Sequence, residues 1–116
     1  MKVLLDENLD RRLRKNLDPH EVFTANYKGW SGLKNGKLLE ACEADGIEVL
    51  PTGDQSLFYE QNLSKRRLAV VALSCVEWRI LKDYLPQIVT AIDNAFPGSF
   101  QAVDCGIFTR RTGAEE

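Results

Sequence analysis

Cysteine is scarce in this chain: Cys42, Cys75 and Cys105 are odd in number and stand 33 and 30 residues apart in apolar surroundings. That pattern excludes a disulfide framework or a zinc knuckle and reads as reduced core thiols of a cytoplasmic protein. Histidine occurs once, at His20, with no serine or cysteine partner in view, which removes the usual base of a serine triad. No stretch approaches the ~18 apolar residues of a membrane span. Asp6 also interrupts the opening Met1-Lys2-Val3-Leu4-Leu5 before a signal-peptide core could form. Gly29, Gly32 and Gly36 lack the strand-to-helix setting of a dinucleotide loop. An excess of either charge is missing too: 15 basic and 17 acidic residues leave a net charge of −2, which argues against holding nucleic acid by bulk charge alone.

What is present suffices for one modest core, since 44% of the 116 residues are apolar. Continuous branched-aliphatic runs recur at Val3-Leu4-Leu5, Glu21-Val22-Phe23-Thr24, Ile47-Glu48-Val49-Leu50 and Leu68-Ala69-Val70-Val71-Ala72-Leu73, and more weakly at Phe100-Gln101-Ala102-Val103. Such runs suit strands buried on both faces of a parallel sheet. Segments of helical period lie between them. Leu9, Leu13 and Leu17 predict an amphipathic first helix. Leu38, Leu39 and Cys42 predict a second, with Asn35 as N-cap and Gly46 as its left-handed stop. A longer pattern from Trp78 to Phe96 should break at Pro86. The expected fold is one α/β, Rossmann-like domain over residues 1–106, mostly parallel, with strand order 2-1-3-4 and an optional fifth strand. Residues 107–116 are expected to fray as a tail.

In such sheets, ligands collect beyond the carboxyl ends of the strands. Two acids fall there: Asp6, directly after strand one, and Asp54, in Pro51-Thr52-Gly53-Asp54, with which strand three ends. Either alone is as well explained as a turn former or helix cap. If strands one and three are neighbours, the pair can share one hard cation, magnesium or manganese, whose shell water and phosphate oxygens complete. The chemistry this suggests is metal-assisted hydrolysis of a phosphodiester. An acidic centre must recruit a polyanion through basic residues at its rim, for which Lys34, Lys37, Lys65, Arg66 and Arg67 are the candidates. Tyr27 and Trp30 either stack on a base or anchor their own loop. A receiver-like domain would also pair acids at strand ends, but no lysine follows the fifth run.

Leu4-Leu5-Asp6-Glu7-Asn8-Leu9, Gly29-Trp30-Ser31-Gly32, Asn35-Gly36-Lys37-Leu38-Leu39, Val49-Leu50-Pro51-Thr52-Gly53-Asp54 and Gln61-Asn62-Leu63 together resemble the small standalone PIN-like proteins. These are predicted bacterial nucleases often regarded as the toxins of toxin–antitoxin pairs. The resemblance covers residues 1 to 105 and implies a metal-dependent ribonuclease with Asp6 and Asp54 as catalytic acids and metal ligands. It implies an antitoxin protein or a second copy of the chain as partner, for which Trp78, Tyr84 and Phe58 are candidate contacts. Asn35 and Ser56 stand where the family carries further acids, so Asn35 becomes a third, uncharged ligand and the expected metal affinity falls. The alternative is a degenerate module of the same fold that binds a protein or RNA without cutting it.

Overall fold

Branched aliphatic side chains lose rotamer freedom in a helix and pack well on a pleated surface, and each of the five runs forms a strand. The computed structural model describes residues 1–33, 35–54 and 63–105, without the side chains of Asn35 and Ser64. Lys34, the Asn35 side chain, Ser56, Phe58 and the expected tail at 107–116 lie outside the described residues. The strands are β1 Lys2–Leu5, β2 Glu21–Thr24, β3 Val49–Thr52, β4 Ala69–Leu73 and β5 Phe100–Val103. They form one sheet in the order β2-β1-β3-β4-β5, every pair parallel.

The core divides by strand parity. Val3, Leu5, Val49, Val71 and Leu73 face one side, where Leu9, Leu13, Leu17, Leu81, Ile88 and Ile92 cover them. Leu4, Leu50 and Val70 face the other, beneath Leu38, Leu39 and Cys42. The second set belongs to α2, Asn35–Ala44, which ends before Gly46 at φ 79°. Asn35 is therefore the first helical residue and not the expected cap. Leu81 ends α3, Trp78–Leu81, and after a single 3-10 turn α4 runs over Leu85–Asp93 with Pro86 in its first turn. Proline is well placed there because a first-turn N–H has no helical partner. Trp78 and Tyr84 are half-buried against this first core side.

One further local expectation needs correction. The leucines spaced by four produce a 3-10 helix, Arg11–Asn16, not an α-helix. Asp10 caps it through the Arg12 amide at 2.9 Å and grips the same guanidinium, and Asp18-Pro19 follows directly. The third strand runs two residues further than the aliphatic run. Pro51 lacks a donor, but its carbonyl accepts the Asp6 amide at 3.1 Å, and the ladder with β4 continues through Thr52 opposite Ala72.

Directly after β2 comes α1, the single turn Ala25–Lys28, capped by the Thr24 hydroxyl accepting the Tyr27 amide at 3.1 Å and closed by Gly29 at φ 79°. A turn this short has no internal stability to spare. Thr24→Ala should cost about 1 kcal/mol, the usual value of an N-cap, seen as a lower urea midpoint at unchanged slope.

Candidate active site at the carboxyl edge of the sheet

Because β1 and β3 are parallel neighbours, both release their chains at the same edge, and Asp6 and Asp54 emerge side by side. One hydroxyl joins them. Thr52 is fully buried, so its hydroxyl must find partners inside the protein. It donates to Asp6 Oδ2 at 2.6 Å and accepts the Asp54 amide at 2.9 Å. Asp6 Oδ1 accepts the Glu7 amide at 2.8 Å. Burial pushes the Asp6 carboxyl above its ordinary value; the Thr52 and Glu7 hydrogen bonds pull it down, while the nearby Glu7 and Asp54 carboxylates push it up.

Two further side chains brace this edge. Asn8 Oδ1 accepts the Gly53 amide at 3.1 Å, tying the turn after β3 to the turn after β1. Glu7 Oε1 accepts the Gly32 amide at 2.7 Å, drawing the loop after α1 to the residue beside Asp6. Sequence reasoning missed Thr52, Asn8 and the brace from Glu7. A threonine two residues after buried Leu50 was the available signal, because strand alternation sends its hydroxyl to the covered side.

The candidate basic residues separate. Lys37 is exposed on the first turn of α2. That helix runs back from the carboxyl end of β2 to the amino end of β3, so its first turn lies at the Asp6 edge. Lys65, Arg66 and Arg67 precede β4 and therefore lie at the opposite edge, about 16 Å away along a five-residue strand. Arg66 is engaged there, its guanidinium 2.8 Å from Glu43 Oε1, while Glu43 Oε2 accepts the Arg67 amide at 2.7 Å. A cleft of about 500 Å3, bordered by Ile47, Glu48, Arg67 and Phe96, opens at that same edge, remote from the acids. His20 also belongs to that edge. Its side chain is 6% exposed and its Nε2 lies 2.6 Å from Asp93 Oδ1, so it fastens the loop before β2 to the end of α4.

All three cysteines are free and buried. Burial first, then the neighbouring acids led by Asp6, pushes the Cys42 thiol up to about 12, which leaves it an inert core residue. Among the described residues no group of three or more His, Cys, Asp or Glu side chains could hold a metal ion, and no helix is long and apolar enough to cross a membrane.

A divalent ion at this edge would have the two carboxylates of Asp6 and Asp54 as its charged protein donors. Among the described residues each Asp6 oxygen accepts one hydrogen bond, which leaves it a second lone pair, and the like charges of Glu7 and Asp54 beside a buried carboxylate favour a cation. Magnesium commonly takes only one or two protein carboxylates and fills its octahedron with water and phosphate oxygens. No protein-family model, curated protein or solved structure matches the chain.

Proposed function

We propose that this protein is a metal-dependent ribonuclease of the PIN-like type that hydrolyses RNA phosphodiesters at the carboxyl edge of its sheet. The observation that carries the reading is the single Thr52 hydroxyl bonded to both Asp6 and the Asp54 turn. It aims the Asp6 carboxylate and holds the backbone from which Asp54 leaves β3. Asp6 and Asp54 are the catalytic acids and would hold magnesium or manganese, with Asn35 as a third, neutral ligand. The ion when bound supplies Lewis acidity toward a phosphate oxygen and lowers the pKa of its water. Thr52 keeps Asp6 aimed, Asn8 keeps the Gly53 turn in place, and Lys37 draws the phosphate backbone to this edge. The free thiols suit a cytoplasmic protein. An antitoxin protein, or a second copy of the chain, would act by covering the same edge.

The sparse acid set favours one second reading, a PIN-like module that binds RNA or a protein without cutting, since the sequence has neutral Asn35 and Ser56 where the resemblance expects acids. Calorimetry with manganese and an RNA cleavage assay with magnesium or manganese separate the two. The nuclease reading expects weak manganese binding and slow cleavage by the wild type, with both increased by Asn35→Asp. RNA binding without cleavage in either protein establishes the second reading.

A further inference from the structure

The carboxyl edge carries an aromatic ring that the core does not use. Tyr27 is 75% exposed, the most exposed large apolar side chain among the described residues. Yet it is held in place. Its ring stacks on Phe23 with centroids 6.0 Å apart and planes inclined by 22°, and Phe23 is itself held by the Lys28 ammonium 4.3 Å from its centroid. The Thr24 cap and Gly29 fix the turn that bears it. A ring ordered before any ligand arrives loses little further freedom on binding.

Position gives this ring its meaning. Thr24 of β2 pairs with Leu5 of β1, so α1 begins beside Asp6, and the Glu7 bond to Gly32 draws the loop that follows α1 against the same acid. The neighbours of Tyr27 on this turn are polar or small: Asn26, Gly29, Ser31 and Gly32 are all exposed. One aromatic side chain offers on the order of 150–250 Å2, far below the ~800 Å2 per partner of a stable protein interface and well matched to one nucleobase.

We infer that Tyr27 is a base-stacking platform beside the Asp6 edge that takes the face of one unpaired RNA base. Stacking needs a base face freed from its neighbours, which a duplex does not present and a single strand does. This deepens the ribonuclease reading and rests on it. Lys28 contributes no phosphate contact, because its ammonium is already 2.7 Å from Asp45 Oδ2. The backbone charge falls instead to Lys37.

The test is fluorescence anisotropy of a short labelled oligoadenylate, as a single strand and as its duplex with oligouridylate, without divalent ions. Tyr27→Ala is expected to weaken single-strand binding roughly 5- to 150-fold, the range for losing one stacked base, while Tyr27→Phe stays within about twofold. The duplex is expected to bind more weakly and to be indifferent to either change. Equal single-strand affinity of the wild type and Tyr27→Ala, with both folded by thermal melting, overturns the platform and leaves the nuclease reading standing. A wild type that binds no oligonucleotide overturns both. Loss of self-association by Tyr27→Ala with oligonucleotide affinity unchanged would assign the ring to a second copy of the chain and also overturns the platform.

Discussion

Asp6→Asn should flatten the dependence of stability on pH and remove most activity at once. With manganese present the wild type gains stability that the variant cannot, and RNA cleavage by the variant falls on the order of a thousandfold. The flattening follows from the environment of the carboxylate. Burial, together with the Glu7 and Asp54 charges, raises the Asp6 value above that of an unfolded chain. Such an acid binds protons more readily folded than unfolded. Its contribution to stability is therefore fullest below the ordinary carboxylate range, declines as pH rises through the raised value, and stays diminished at neutral pH. Asparagine has no charge to desolvate, so the stability–pH profile of the variant should be flatter across that acid window. The loss of activity follows from the several kcal/mol that a coordinated ion contributes to charge stabilisation at phosphate. A ligand present at a hundred times its Kd stabilises the fold by about 2.7 kcal/mol, a shift of about 10 °C for a domain of this size. Scanning calorimetry of both proteins with and without manganese, alongside cleavage rates, checks each part. Stability–pH profiles of the same slope across the acid window in metal-free buffer would refute the electrostatic account of Asp6, and an undiminished rate would refute its catalytic role.

Gly53→Ala carries the second large effect. A Cβ at this position would lie 2.3 Å from Cγ1 of Val76, a distance that real atoms do not tolerate. Valine is stiff about χ1, so relief must come from the turn itself or from an unfavourable rotamer. Overpacking of this kind costs about 1–3 kcal/mol. A displaced turn also loses the Asn8 bond to the Gly53 amide and moves Asp54 relative to Thr52, so manganese affinity should fall together with stability. Val76→Ala removes the obstructing methyl from a side chain that is 38% exposed and should by itself cost little. The double variant should recover most of both losses. A double-mutant cycle in urea measures this as a coupling energy, and additive effects would show that Val76 is not what excludes a side chain from residue 53.

Much of this architecture was legible because a doubly covered parallel strand demands apolar residues on both faces, as in Val3-Leu4-Leu5 and Ala69-Val70-Val71-Ala72-Leu73. The strand order, and Asp6 and Asp54 at one edge, followed from those runs and from the need for β1 and β3 to meet. The role of Thr52 was not legible because a threonine closing a strand reads as part of a turn, and only the meeting of β1 with β3 brings its hydroxyl to Asp6. Lys65, Arg66 and Arg67 were assigned to the rim of the acids on charge alone. Chain direction decides differently, because residues entering a parallel strand and residues leaving it occupy opposite edges. The first helix shortened because leucines spaced by four record which face is buried, not which hydrogen-bond pattern is used, and Asp10 with Pro19 restricts the segment to little more than a turn.

The Thr52 bridge also bears on how the protein is made. The hydroxyl and the carboxylate it grips are 46 residues apart, and β1 is flanked by two strands that both come later in the chain. As the polypeptide leaves the ribosome, Asp6 emerges before β3, and nothing can aim it until β3 has followed. Parallel pairing across such separations must close long loops before it gains any contacts, which slows folding relative to helical proteins of equal size. Until Val49–Thr52 has been made, β1 can pair with β2 alone, its other side holds unpaired backbone, and no acid pair is assembled, so any nuclease capacity waits for the strand that carries the second acid.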